Sequence, residues 1–162
     1  MYTKNTKKIT ISGMVIALYI VIMYVAQSFS FGAYQVRIAT ALYALAYIYP
    51  FLVVPLGVAN LLSNLLGGLG LLDMLGGCGV GIIAGLCMVQ IRRYHWNCWV
   101  VALPIWLVPS LLVPIWLSFL LEIPYMVLVV NLLIGQAIPA IAGVILLHIL
   151  ERVYVPVKGV NL

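Results

Sequence analysis

A chain of 162 residues, 66% of them hydrophobic and 7% charged, with a mean hydropathy of +1.24, is excluded from the soluble globular class, where roughly 45–50% of residues are apolar and about 25% charged. Its long apolar runs lack the alternation of a transmembrane barrel, so it reads as an all-α integral membrane protein, a single transmembrane domain over residues 1–162. The net charge of +5 bears on membrane topology and gives no reason to expect a nucleic-acid partner.

Residues 1–8 are polar and basic, with Lys4, Lys7 and Lys8. The apolar run over 9–26 is long for a signal peptide and has no clean small-residue cleavage site, so it is an uncleaved first span. On it, Gly13 and Ala17 form a small-xxx-small pair of the kind that lets another helix approach closely. A polar and aromatic loop over 27–36 carries Tyr34, and Arg37 opens a second apolar segment, 37–49. That segment is short for a span, which calls for tilt or for a snorkelling Arg37. The third segment, 51–66, has Pro50 and Pro55 around its start and two amides, Asn60 and Asn64, one helical turn apart near its end. A glycine-rich turn over 67–73 leads to one carboxylate, Asp73.

The fourth segment, 74–91, carries a glycine stripe, Gly77, Gly81 and Gly85, suited to tight packing. It ends in Arg92-Arg93-Tyr94-His95-Trp96, a basic and aromatic interface belt. The fifth, 98–120, contains Pro104, Pro109 and Pro114 and is expected to be kinked or interrupted. Glu122 and Pro124 mark a turn, and the sixth segment, 125–150, holds Asn131, Gln136 and Pro139. Cys78, Cys87 and Cys98 are odd in number, and the first two lie in or beside apolar helices; they are small packing residues rather than a disulfide framework. His95 and His148 are too isolated for metal ligands, and no cofactor is expected.

Lysine and arginine collect at the N-terminus, after the fourth segment and at the C-terminus. With six spans these fall on one side, so both termini are expected in the cytoplasm and the loops at 27–36, 67–73 and 121–124 outside. Arg37, Asp73 and Glu122 then gather at the external face, with Asn60, Asn64 and Gln136 just beneath it. Polar groups at membrane depth cost several kcal/mol, on the order of a lost hydrogen bond or more, unless partnered. They are therefore binding-site candidates, interhelical hydrogen bonding being the alternative. The chain has no Gly-x-x-x-x-Gly-Lys loop, no nucleophile–base arrangement, no selectivity-filter motif and almost no charge within its spans. It reads as a small membrane binder without an engine, not an enzyme.

Thr6-Lys-Lys-Ile-Thr-Ile-Ser12, Ser30-Phe-Gly-Ala-Tyr-Gln-Val-Arg-Ile-Ala39, Ala41-Leu42 and Ala59-Asn-Leu-Leu-Ser-Asn-Leu-Leu-Gly-Gly-Leu-Gly-Leu-Leu-Asp73 together resemble the QueT family. Leu121-Glu-Ile-Pro124 and Leu133-Ile-Gly-Gln136 carry a looser likeness in the last third. The family comprises substrate-binding S components of energy-coupling factor (ECF) importers, assigned to queuosine precursors. The resemblance implies a six-helix S-component bundle in a prokaryotic plasma membrane, with an external pocket. It also implies an engine of separate chains, a T component and two ATPase subunits, with Gly13 and Ala17 at the T-component docking motif. Thr40 and Gln136 stand where the family often has acids. An aminomethyl deazaguanine carries an ammonium that wants a carboxylate, so these replacements turn the expectation toward the nitrile precursor, queuine or the nucleoside. In this frame Asn60 and Asn64 offer donor–acceptor pairs to a purine-like edge, and Asp73 accepts from its N–H groups. Arg37 meets a ligand carbonyl, Tyr34 stacks on the heterocycle, and Gln136 lines the pocket. The plainer alternatives are an N-cap for Asp73, interface anchors for Arg37 and Tyr34, and a solvated turn for Glu122. At the level of the whole chain they are an S component for another vitamin or nucleobase, or a structural subunit of a membrane complex.

Overall fold

The computed structural model of the chain describes residues 2–31 and 34–158; Gly32 and Ala33 of the Ser30–Ala39 block, and the tail from residue 159, lie outside the described residues. Among the described residues the chain is helical throughout, without strands. Helix α1 spans Tyr2–Val25, and a single further turn, α2, covers Gln27–Ser30. A 3₁₀ stretch over Ile38–Ala44 passes into α3, Leu45–Ile48. Helix α4 spans Val53–Asn64, α5 Leu71–Arg93, α6 Ala102–Leu121 and α7 Tyr125–Lys158. The basic start of the chain is thus already helical, and the loop expected over 27–36 begins with a helical turn.

Among the described residues, five helical stretches are long and apolar enough to cross a membrane: Asn5–Val25, Pro50–Gly67, Leu71–Arg93, Cys98–Leu121 and Tyr125–Val153. The sixth apolar segment, Ile38–Ile48, is shorter. It is the axis of the molecule, since Ala39 to Ala44 are all buried. Helix α1 packs on α4, α4 on α5, α5 on α6 and α6 on α7, and the 3₁₀ stretch touches α1, α4, α5, α6 and α7. The 3₁₀ winding gives it reach, because each residue rises about 2.0 Å instead of about 1.5 Å. At one end Arg37 bonds Asn64, the last residue of α4. At the other, Arg92 donates to the carbonyls of Tyr47 and Ile48. Tyr49 then turns to an extended conformation (φ −121°, ψ 84°) ahead of Pro50, as a residue before proline does.

The basic segments meet at that second end. Lys8 Nζ lies 5.8 Å from the centre of the Phe51 ring, close to the segment whose carbonyls bind Arg92. Past Arg93 the chain returns through Cys98, whose Sγ is 3.4 Å from His148 Nε2 near the end of α7. The imidazole and the thiol are brought together from 50 positions apart, but among the described residues no third ligand completes a metal site.

Three sequence expectations are revised. Arg37 does not snorkel: it is 2% exposed and points into the bundle, where Asn64 and Phe31 receive it. Asp73 is not in the turn, nor is it an N-cap. The turn is made by Gly68 (φ +67°) and Gly70 (φ +90°), Gly70 is the N-cap of α5, and Asp73 falls in the helix's first turn. Helix α6 is not interrupted: it runs on through Pro109 and Pro114, which are both buried, so the backbone groups they leave unbonded are covered by neighbouring helices. The glycine stripe of α5, by contrast, packs as its spacing suggests: a Cβ on Gly81 would lie 2.9 Å from the Gly57 Cα of α4, and one on Gly85 3.3 Å from the Val53 Cα.

Candidate functional site

Arg37, Thr40, Asn60, Asn64, Asp73 and Gln136, drawn from four different segments, are each at most 2% exposed. Asn64 sits between the two charged residues. Its Oδ1 accepts from Arg37 Nη1 at 3.0 Å and its Nδ2 donates to the Asp73 main-chain carbonyl at 2.8 Å. One amide thereby fixes the start of the 3₁₀ stretch to the start of α5. Both helical faces need space for it, and Gly77 supplies that space: a Cβ there would run into Asn64 Nδ2 and lie 3.1 Å from Asn60 Oδ1.

Asp73 is held from the far side. Trp116 of α6 donates its indole N–H to Asp73 Oδ1 at 2.9 Å. The indole lies where a Cβ on Gly76 would be, 2.7 Å from its ring atoms. The first turn of α5 also favours a negative charge through its free N–H groups. Asp73 Oδ2 has no protein partner. Asn60 is oriented in the same manner. Its Nδ2 donates to the Tyr43 hydroxyl at 2.6 Å, and that hydroxyl lies 3.3 Å from the Tyr19 hydroxyl of α1. The tyrosine rings stack with centroids 6.1 Å apart. The amide is therefore turned so that Oδ1 is left without a partner.

The loop before the 3₁₀ stretch is clamped to α7. Gln136 Nε2 donates to the Gln35 carbonyl at 3.1 Å, and the Thr40 hydroxyl lies 2.9 Å from Gln136 Oε1 and 2.7 Å from the Arg37 carbonyl. A side chain on Gly135 would overlap the Tyr34 carbonyl, so glycine at this position sets how closely α7 approaches the loop. Gln35 adopts φ +44°, an uncommon conformation for a residue with a side chain. Its Oε1 is buried and unpartnered. Arg37 retains Nε and Nη2 without partners, while its guanidinium carbon stands 5.2 Å from the centre of the Phe31 ring.

Among the described residues, five buried side-chain atoms thus remain unmatched by the protein: two donors on Arg37, and one acceptor each on Asp73, Asn60 and Gln35. Buried polar groups are almost always hydrogen-bonded, and a buried charge without its partner is costly. Asn64 touches both Arg37 and Asp73, yet the two charges form no ion pair with each other. The unmatched atoms include both donors and acceptors, which suits a compact polar heterocycle carrying both a carbonyl and N–H groups.

The structure divides the sequence-selected residues into two sets. Arg37, Asn60 and Asp73 direct free atoms inward, whereas Asn64, Thr40 and Gln136 spend their groups on bracing the others. Tyr34 is 54% exposed, and the ring that meets Arg37 is Phe31. Gln35, Tyr43 and Trp116 are part of the cluster that residue reading missed. Tyr43 carried a signal, a hydroxyl in an apolar run; Trp116 carried none that distinguished it from an interface tryptophan. Gly13 and Ala17 lie on the open face of α1, and a Cβ added at Gly13 would meet nothing within 4 Å. Glu122 is exposed at the end of α6.

No curated protein and no solved structure matches the chain. The family model described as QueT transporter matches residues 9–152, a span that takes in every residue of the buried cluster. With a helical membrane bundle around a braced polar site, the chain belongs to the QueT transporter family.

Proposed function

We propose that the chain is the substrate-binding S component of an ECF-type importer in a prokaryotic plasma membrane, capturing a queuosine precursor of the 7-deazaguanine type from the exterior. The observation that carries this reading is the set of five unpartnered buried atoms on Arg37, Asp73, Asn60 and Gln35. A deazaguanine presents a carbonyl to the Arg37 donors and ring and exocyclic N–H groups to the acceptors of Asp73 and Asn60. Thr40 and Gln136 occupy each other, and the cluster has a single carboxylate against a single guanidinium. That balance favours an uncharged ligand, such as the nitrile precursor, over the aminomethyl form. The basic end of the bundle, with Lys8 and Arg92, faces the cytoplasm in this reading, and the Arg37–Asp73 end faces out. A T component docks on the Gly13–Ala17 face of α1, and two ATPase chains supply the energy that the chain, with no phosphate-binding loop, does not.

The test is binding to the purified protein in detergent, followed by tryptophan fluorescence, with the aminomethyl and nitrile precursors, queuine, queuosine and guanine beside riboflavin and thiamine. Trp116 touches Asp73 and reports directly. The expected result is tight binding of a deazaguanine, nitrile ahead of aminomethyl, and its loss in Asn60→Ala. Binding of riboflavin or thiamine alone overturns the substrate. Silence across the panel favours a structural subunit.

A further inference from the structure

At the end of the bundle opposite the polar cluster, a groove of about 480 Å³ runs between α5 and α6. Its walls include Leu86, Cys87 and Ile91 of α5 and Leu103, Pro104 and Leu107 of α6. It lies open between two membrane-length helices whose neighbouring residues Ile83, Leu86 and Leu103 are outward-facing. Its volume falls within the roughly 300–1,000 Å³ typical of small-molecule sites.

The groove has a built end. Helix α5 closes with Trp96 N–H bonded to the Ile91 carbonyl and His95 N–H bonded to the Arg92 carbonyl. This is the paired pattern of a Schellman motif, whose left-handed position normally holds glycine. Here His95 occupies it at φ +54°. The consequence is that Trp96 folds back toward Ile91, the apolar contact such motifs favour, and both residues line the groove beside Tyr94. Arg93 precedes the lining residue Tyr94 in the chain without itself lining the groove; it is exposed and has no hydrogen bond or ion pair among the described residues, whereas Arg92 is committed to the Tyr47 and Ile48 carbonyls.

We propose that this groove is a binding site for one anionic phospholipid, its acyl chain lying along the Leu86–Leu107 walls and its phosphate meeting Arg93 at the Tyr94–Trp96 end. An apolar groove that opens to the hydrocarbon region is filled by the solvent it faces, which is acyl chain. The charge beside its end selects among headgroups: an arginine at a membrane surface attracts anionic lipid, and Tyr and Trp belong at headgroup depth. The phosphate accepts from the guanidinium of Arg93. Nothing in this assignment depends on what the polar cluster binds.

The experiment is native mass spectrometry of the full chain released from micelles holding equal amounts of phosphatidylglycerol and phosphatidylcholine with identical chains. One phosphatidylglycerol per chain is expected, retained about fivefold over phosphatidylcholine. Arg93→Gln should bring phosphatidylglycerol down to the phosphatidylcholine level. Leu103→Trp, which fills the groove, should lower both lipids, and thermal unfolding of each variant reports that it remains folded. Equal retention of the two lipids by the unmodified protein overturns the proposal. So does phosphatidylglycerol retention that survives both substitutions in folded protein, or a two-chain mass that persists when phosphatidylglycerol is added, which would make the groove a protein interface.

Discussion

Asp73 is a carboxylate with one oxygen held and one free. Trp116 fixes Oδ1 at 2.9 Å, and Oδ2 is buried without a partner. An unmatched buried carboxylate opposes folding, and a ligand N–H that meets it gains a charge-assisted bond. Asp73→Asn should therefore weaken binding of the best deazaguanine by about 10- to 100-fold, the 1.5–3 kcal/mol of such a bond, while leaving the melting temperature of ligand-free protein unchanged or raised. Titration and thermal unfolding of the same preparation check both halves, and a fall in both together would make Asp73 a structural residue. Aromatic substitutions separate two placements of the stacking ring. Phe31 meets Arg37 and Tyr34 is exposed, so Phe31→Ala should cost more affinity than Tyr34→Ala.

At the scale of the element, the glycines of α5 differ by position within one turn of each other. Gly81 abuts the α4 backbone at Gly57, and a Cβ added at Gly79 would meet nothing within 4 Å. Gly81→Val should lower stability by about 1–3 kcal/mol through overpacking. Gly79→Ala should be neutral or add up to about 1 kcal/mol through helix propensity. Thermal unfolding in one detergent compares them. Gly135 belongs to the site rather than to packing alone, because a methyl group there meets the Tyr34 carbonyl and displaces the loop that carries Gln35 and Arg37. Gly135→Ala should reduce ligand affinity more than it reduces the melting temperature, as measured by titration against unfolding.

Among the described residues, five long helices and one short one enclose the polar site, and α1 is the least covered of them. Only 17% of the α1 span is buried, against 39–44% for the others. Its inner edge carries Val15, Tyr19 and Met23, and Gly13 and Ala17 face outward. A bulky residue at Gly13 therefore meets no part of this chain. Gly13→Leu should leave ligand binding intact in detergent and abolish uptake in cells that hold the rest of the importer. Loss of binding in the same variant would detach Gly13 from docking.

Composition alone determined the membrane class, because 66% hydrophobic residues leave too little polar surface to face water. The spacing of apolar runs located the helices, and the rule that a polar group at membrane depth needs a reason picked out Arg37, Asn60, Asn64, Asp73 and Gln136 before any contact was known. What sequence did not hold was which of those residues present free atoms and which only brace. Asn64 and Asn60 are the same residue type one turn apart. One is consumed between Arg37 and Asp73, and the other is turned by Tyr43, a partner 17 positions away, so that its oxygen stays free. Nor could local pattern reveal that the 37–49 segment begins as a buried 3₁₀ stretch over Ile38–Ala44, that Arg37 points inward, or that Trp116 clamps Asp73 across 43 positions. Those outcomes depend on which helices become neighbours, and hydrogen bonds between distant segments leave no periodicity in the chain that makes them.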